Sequence, residues 1–224
     1  MKNEYALIVA GGRGTRINSD VPKQFLEVNG LPVLMHTINA FLNYAPDIHI
    51  VVVLPEEEVS RWKALCEMYH FTADITLQPG GQTRFQSVKR GLERISGDGL
   101  VAVHDGVRPL VRKELIAATF ACAAANGTAV AAVRPKESLR QDTDDTTRAV
   151  DRTRYWMVQT PQTFRISLLR EAYQLDEDPT LTDDASVVER YGYAISLVEG
   201  QYDNIKITTE EDLVTAEALL RKKS

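Results

Sequence analysis

The chain has 224 residues, a formal net charge of −5 and a pI near 5.5, with 44% hydrophobic and 25% charged residues. That balance is of a globular protein and argues against general binding to nucleic acid or membrane surfaces, which takes a basic face. Cys66 and Cys122 stand far apart in apolar helical patterns and read as reduced core thiols; no apolar run reaches about 18 residues and no signal-peptide pattern is present, so a cytoplasmic location is expected.

Residues 5–9 form a continuous apolar run, as a strand buried on both faces requires. It runs into Ala10-Gly11-Gly12-Arg13-Gly14-Thr15-Arg16, followed by Pro22-Lys23-Gln24-Phe25. Glycines let a backbone approach a ligand closely, exposed amides form an anion-binding concavity, and Arg13, Arg16 and Lys23 suit a ligand with several phosphates. A P-loop would carry Lys directly after its last glycine, where Thr15 stands. The dinucleotide fingerprint would need a third glycine where Ile17 stands.

Further apolar runs at 48–54, 100–103 and 129–133 read as strands. Between them lie helical stripes: Leu34, Ile38, Phe41 and Leu42; Trp62, Leu65, Cys66 and Tyr69; Val88, Leu92 and Ile95; Leu115, Ile116, Thr119 and Phe120. The alternation implies an α/β fold, a Rossmann-like, mainly parallel sheet flanked by helices, with ligands beyond the carboxyl ends of the strands. Gly80-Gly81-Gln82-Thr83 opens a helix with a second glycine turn, and Asp105 stands just past a buried strand. The pattern breaks at about 136–160, where Ser138-Leu139-Arg140-Gln141 and Ala149-Val150-Asp151-Arg152 flank a polar turn in a β-hairpin-like excursion. Two readings stand for it: a solvated loop, or an arm that packs on a second subunit. Residues 166–175, 183–191 and 209–221 read as helices and 194–198 as a strand, with Thr182 as a helix cap. In Asp203-Asn204-Ile205-Lys206-Ile207, strand alternation turns Lys206 away from both isoleucines. His36, His49, His70 and His104 are scattered and read as structural or surface residues.

The first glycine loop with Lys23 resembles the signature of the sugar-phosphate nucleotidyltransferases. Its Pro-Lys-Gln-Phe ending is similar, within that group, to the 2-C-methyl-D-erythritol 4-phosphate cytidylyltransferases of non-mevalonate isoprenoid synthesis. The resemblance runs over the whole chain and implies one nucleotidyltransferase domain, 1–224, whose arm at about 136–160 hooks two subunits into a homodimer. It implies that Ala10, Gly11 and Gly12 approach the nucleotide, that Gly81, Gln82 and Ser87 recognise cytosine, and that Asp105 and Gly106 lie beside the nucleotide and a divalent cation. Gln82 departs from the acidic or Asn residue expected, though its side-chain oxygen can accept from the cytosine amine. Mg²⁺ at Asp105 suits one carboxylate plus phosphate oxygens. Arg108, Ser138 (where the family generally has Thr), Arg152, Thr160 and Thr182 are the implied acceptor residues, with Arg152 reaching into the neighbouring subunit's site.

The expected reaction is attack of an acceptor phosphate oxygen on the α-phosphorus of CTP, with in-line loss of pyrophosphate. The nucleophile is already anionic, so the protein positions and neutralises two polyanions. Arg16, Lys23 and Lys206 are the expected catalytic cations. The rivals are a cytidylyltransferase for D-ribitol 5-phosphate, a non-catalytic nucleotide-binding subunit and, more distantly, a Rossmann oxidoreductase.

Overall fold

The computed structural model describes residues 3–11 and 21–222. In chain order these form β1 (Glu4–Val9), a small hairpin of β2 (Glu27–Val28) and β3 (Leu31–Pro32), α1 (Val33–Tyr44), β4 (His49–Leu54), α2 (Val59–Met68), β5 (Ile75–Pro79), α3 (Arg84–Leu92) and β6 (Leu100–Asp105). There follow α4 (Lys113–Asn126), β7 (Thr128–Val133), β8 (Leu139–Asp142), β9 (Thr147–Val150), β10 (Met157–Arg165), α5 (Ile166–Ala172), α6 (Asp184–Arg190), β11 (Leu197–Glu199) and α7 (Glu210–Arg221).

Seven strands make the main sheet in the order β11-β7-β10-β6-β1-β4-β5. β1 pairs in parallel with β4 and β6, β4 with β5, and β7 with β11, while β10 runs antiparallel between β6 and β7. Strand alternation sorts the core into two layers. Tyr5 and Leu7 pack with Phe85 and Val88 of α3, Leu169 of α5 and Val188 of α6. Ala6 and Ile8 face the other way, onto Leu34 and Ile38 of α1, Trp62 of α2 and Ile116 of α4. Both faces are covered, which explains why the strands read as unbroken apolar runs. A third cluster joins Val28, Val33, Val107 and Leu110 to Ile207 and Ala216, tying the C-terminal segment to the loop after β6.

The expected fold class is what the chain adopts, with four local differences. β5 was not anticipated: its alternating, half-buried Ile75-Thr76-Leu77 stretch lies at the edge of the sheet and lacks the apolar run of the central strands. β10 was also missed, because Pro161 speaks against a central strand. The chain accommodates it at a register shift between Val158 and Gln162. The hairpin is present as β8 and β9, but residues from Met157 onward belong to the main sheet, so the excursion ends before 160. Finally, α6 is capped by Asp183 and not by Thr182: Asp183 accepts from the Ser186 amide, and Ser186 Oγ accepts from the Asp183 amide.

Candidate active site

β1, β4, β5 and β6 all end at one edge of the sheet, and a cleft of about 750 Å³ opens there, lined by Ala10 and Gly11 after β1, Gly80 and Gly81 after β5, and Asp105 at the end of β6. Lys23, Gln82, Ser87 and Lys206 also line it. A smaller section of about 250 Å³ is lined by Arg108, Thr160, Gln162 and Thr182. Arg84, Asp105 and Lys206 belong to both sections and form the seam between them.

The glycine turn before α3 is braced from within. The Gly81 amide donates to Ser87 Oγ at 3.1 Å, and the Gln82 amide donates to Gln86 Oε1 at 3.0 Å. Gln86 in turn donates its Nε2 to Glu177 at 2.9 Å, which fixes the orientation of its amide. Thr83 caps α3 by accepting from the Gln86 amide. A Cβ on Gly81 would stand 2.3 Å from Gln86 Cβ, so only glycine lets this turn close onto its helix.

Asp105 lies at the centre of a cationic cluster. Its Oδ2 meets Arg108 Nε and Lys206 Nζ, each at 3.1 Å, and Arg84 Nε stands 4.0 Å from Oδ1. Burial alone would raise the Asp105 carboxyl, but Lys206, Arg84 and Arg108 outweigh it and hold the group well below the usual carboxylate range. Beneath it, the Asp105 amide donates to Thr160 Oγ1 at 3.1 Å, and Thr160 Oγ1 lies 3.0 Å from His104 Nδ1. Burial pushes the His104 imidazole down to about 4. A neutral ring protonated on Nε2 satisfies the geometry: Thr160 donates to Nδ1, and Nε2–H donates to the Arg108 carbonyl at 3.3 Å. The Thr160 hydroxyl hydrogen is thus committed to His104.

Arg108 is anchored by donating to the Asn204 carbonyl at 2.8 Å, and Asn204 donates its side-chain amide to the Thr160 carbonyl at 2.8 Å. Lys206 follows in an extended segment, not a paired strand, held by the Ile207 amide on the Val107 carbonyl at 2.9 Å. Ile207 is buried in the third cluster with Ile205 packed against it, while Lys206 lines the cleft, as the alternation requires.

The structure therefore brings Ala10, Gly11, Lys23, Gly81, Gln82, Ser87, Asp105, Arg108, Thr160, Thr182 and Lys206 to one cleft. Gly106 is buried behind it, and its amide donates to the Val9 carbonyl at 2.9 Å. Gly12, Arg13, Gly14 and Arg16 lie outside the described residues. Ser138 and Arg152 line neither section: both are exposed, and Arg152 donates to the Lys136 carbonyl at the base of the hairpin. Sequence reasoning passed over Arg84, Asn204 and the His104–Thr160 contact. Arg84 carried a usable signal, a cation directly after a glycine turn; the others are brought to the site by tertiary packing alone.

Among the described residues Glu56, Glu57, Asp105 and Asp183 are the carboxylates that line the cleft, and Asp105, the one shared by both sections, is the candidate for a divalent ion. Asp105 Oδ2 is shared by two cations, whereas among the described residues Oδ1 has only the 4.0 Å approach of Arg84. No cluster of three or more potential metal ligands exists among the described residues. Such a donor set fits an ion held mainly by phosphate oxygens and water, with one protein carboxylate.

A mainly parallel sheet with a braced glycine turn and a cation-lined, two-section cleft at its carboxyl edge is the arrangement of a nucleotidyltransferase. The family model of 2-C-methyl-D-erythritol 4-phosphate cytidylyltransferase matches residues 5–222, and the chain belongs to that family. It is 51% identical over 222 residues to the cytidylyltransferase of that name from Porphyromonas gingivalis, covering 98% of each chain. It is 47% identical over 218 residues to the Phocaeicola vulgatus protein of that name, covering 97% of this chain and 100% of the relative. Among solved structures, the Thermus thermophilus 2-C-methyl-D-erythritol 4-phosphate cytidylyltransferase superposes with a TM-score of 0.80 at 35% identity, covering 99% of this chain and 100% of that one. No helix among the described residues is long and apolar enough to cross a membrane.

Proposed function

We infer that the chain transfers the cytidylyl group of CTP to 2-C-methyl-D-erythritol 4-phosphate, releasing pyrophosphate, in isoprenoid biosynthesis. The carrying observation is the seam. Two sections, one large enough for a nucleoside triphosphate, share Arg84, Asp105 and Lys206, so two phosphate-bearing ligands meet at a cationic wall.

In this reading the larger section takes CTP, with cytosine at the Gly81–Gln82 turn and Ser87, and the triphosphate at Lys23, Lys206 and Arg16. The smaller section takes the acceptor between Arg108 and Thr182, with Thr160 shaping its wall. An acceptor phosphate oxygen forms the new bond to the α-phosphorus as the bond to pyrophosphate breaks. Lys23 and Lys206 hold the phosphates at the distance and angle this needs and meet the charge that develops. Asp105 would hold Mg²⁺, which would supply neutralisation of phosphate charge. Lys206, Arg84 and Arg108 hold the Asp105 carboxyl well below the usual carboxylate range, so it is a carboxylate at neutral pH and does not serve as an acid there.

We read the whole chain as one domain and the protein as a cytoplasmic homodimer joined through the hairpin, whose Ser138 and Arg152 complete the acceptor section of the partner. The base of the hairpin is stiffened for such a role: Arg134 stacks 3.7 Å over the Trp156 ring and Lys136 lies 3.8 Å over the Tyr202 ring.

Pyrophosphate release from CTP, with each polyol phosphate offered separately, tests the reading. Turnover on methylerythritol phosphate and at least about tenfold less on D-ribitol 5-phosphate is expected. Faster turnover on ribitol phosphate would transfer the assignment to that acceptor, a reading the relatives do not favour. CTP binding with no turnover on either would make the chain a non-catalytic nucleotide binder.

A further inference from the structure

Arg84 is the first residue of α3, directly after the glycine turn. Its side chain is 27% exposed and lines both sections of the cleft, whereas its partner Asp184 is wholly buried. Arg84 Nη2 donates to Asp184 Oδ2 at 2.6 Å, and the Tyr173 hydroxyl donates to Asp184 Oδ1, also at 2.6 Å. Tyr173 is itself buried and packs its ring 4.7 Å from that of Phe85. Arg84 Nε stands 4.0 Å from Asp105 Oδ1, beyond hydrogen-bond range. A guanidinium carries five N–H donors. Asp184 takes one of them, and no second acceptor lies in hydrogen-bond reach of Arg84 among the described residues.

Withdrawing a carboxylate fully from water is costly, and apolar residues of similar volume stabilise such a place at least as well. The Asp184–Tyr173 pair is therefore poorly explained as a stabilising device. What it does is fix the plane of a guanidinium whose remaining donors stand at the seam. We propose that Arg84 contacts the phosphates of both substrates where the sections meet, and that Asp184, oriented by Tyr173, is its positioning residue. The planar fork of arginine takes phosphate oxygens two at a time, so its orientation matters and lysine is not equivalent. Held in advance at the point where charge builds up, such a donor acts on kcat more than on KM.

This rests on the cytidylyl-transfer reading, and the experiment separates the two. Arg84→Lys, Asp184→Asn, Tyr173→Phe and the double variants pairing Arg84→Lys with each of the other two are assayed for pyrophosphate release at saturating CTP and methylerythritol phosphate, with thermal melts alongside. Arg84→Lys is expected to lower kcat by about 10²-fold. Asp184→Asn should lower it about tenfold or more and Tyr173→Phe about threefold or more, each with KM for CTP changed less than kcat. In the Arg84→Lys background, either second substitution should add less than about threefold, because both act through the group already changed. Losses that multiply in the double variants, Arg84→Lys within threefold of wild type, or a lower melting temperature with unchanged kcat would overturn the proposal. If Asp184→Asn does not fold, Tyr173→Phe decides by the same criteria, since it keeps the ring against Phe85. A wild-type protein without turnover removes the function reading and this proposal with it; an active wild type with unimpaired variants removes the proposal alone.

Discussion

Replacing Lys206 by alanine removes a positive charge 3.1 Å from Asp105 Oδ2, at the seam of the cleft. The stability cost is small. Lys206 is 42% exposed, so its ion pair is screened and contributes at most about 1 kcal/mol. Asp105 keeps Arg108 at 3.1 Å, so no buried charge is left alone. Ile205 and Ile207 still anchor the segment to the third cluster. For a chain of this size 1 kcal/mol corresponds to about 2–4 °C in Tm, which sets the upper limit of the expected shift. The kinetic cost is larger: loss of one preorganised donor to transition-state charge removes about 2.7–4 kcal/mol, or roughly 10²–10³ in kcat. Pyrophosphate release at saturating CTP and acceptor measures the second quantity, and a thermal melt the first. A fall in kcat of less than tenfold would falsify the assignment of Lys206 to the reacting phosphates. A fall in Tm beyond about 10 °C would show instead that the side chain holds the fold.

Gly81→Ala should weaken CTP binding at least about tenfold, read by titration calorimetry, because the new Cβ would stand 2.3 Å from Gln86 Cβ and force the turn open; unchanged affinity would mean that the turn does not meet the base. On the proposed homodimer, Arg152→Ala and Lys206→Ala proteins, each nearly inactive, should recover about one quarter of wild-type activity when refolded together in equal amounts, since half the dimers would be hybrids with one complete site. No recovery would place Arg152 in its own subunit's site or outside the site. His104 titrates near 4 in the folded protein against an ordinary value of 6.5, so the unfolded chain takes up this proton first as pH falls. The stability linked to it is complete above pH 6.5 and lost towards pH 4, an effect on the order of 3–4 kcal/mol. Asp105, also depressed, adds a further loss below its unfolded value near pH 4. Urea midpoints at pH 7 and pH 4.5 should show the histidine contribution in wild type and a flatter response in His104→Gln; equal slopes in the two proteins would refute the assignment.

What could be read from sequence follows the physics of burial. β1, β4, β6 and β7 are covered on both faces, so each carries an unbroken apolar stretch that stands out. β10 occupies an equally central place but carries Gln159, Thr160 and Gln162, all buried, because their side chains bond to the Gln201 carbonyl, the Asp105 amide and the Ala185 amide. Its polarity hid it. At the site, residues on glycine turns and strand ends were legible because local chemistry marks them. Arg84 and Asp184 are 100 positions apart in the chain, and nothing in either segment announces the other. Asp183 displaced Thr182 as the cap of α6 because three capping-type residues, Thr182, Asp183 and Asp184, stand in succession, and sequence alone does not rank them.

The hairpin tip between β8 and β9 is exposed and polar, and it divides the chain almost where the site divides. The part before it supplies the sheet on either side of β10 except the edge strand β11 and, apart from Lys206, the walls of the larger section. Everything after it supplies β10, α6 and most of the smaller section. A chain cut at that tip would yield two fragments that can regain a cleft only when one antiparallel strand slides between β6 and β7. Catalysis in such a split enzyme would be bimolecular in its two pieces, and its onset would time the insertion of β10 together with the pairing of β11 along β7.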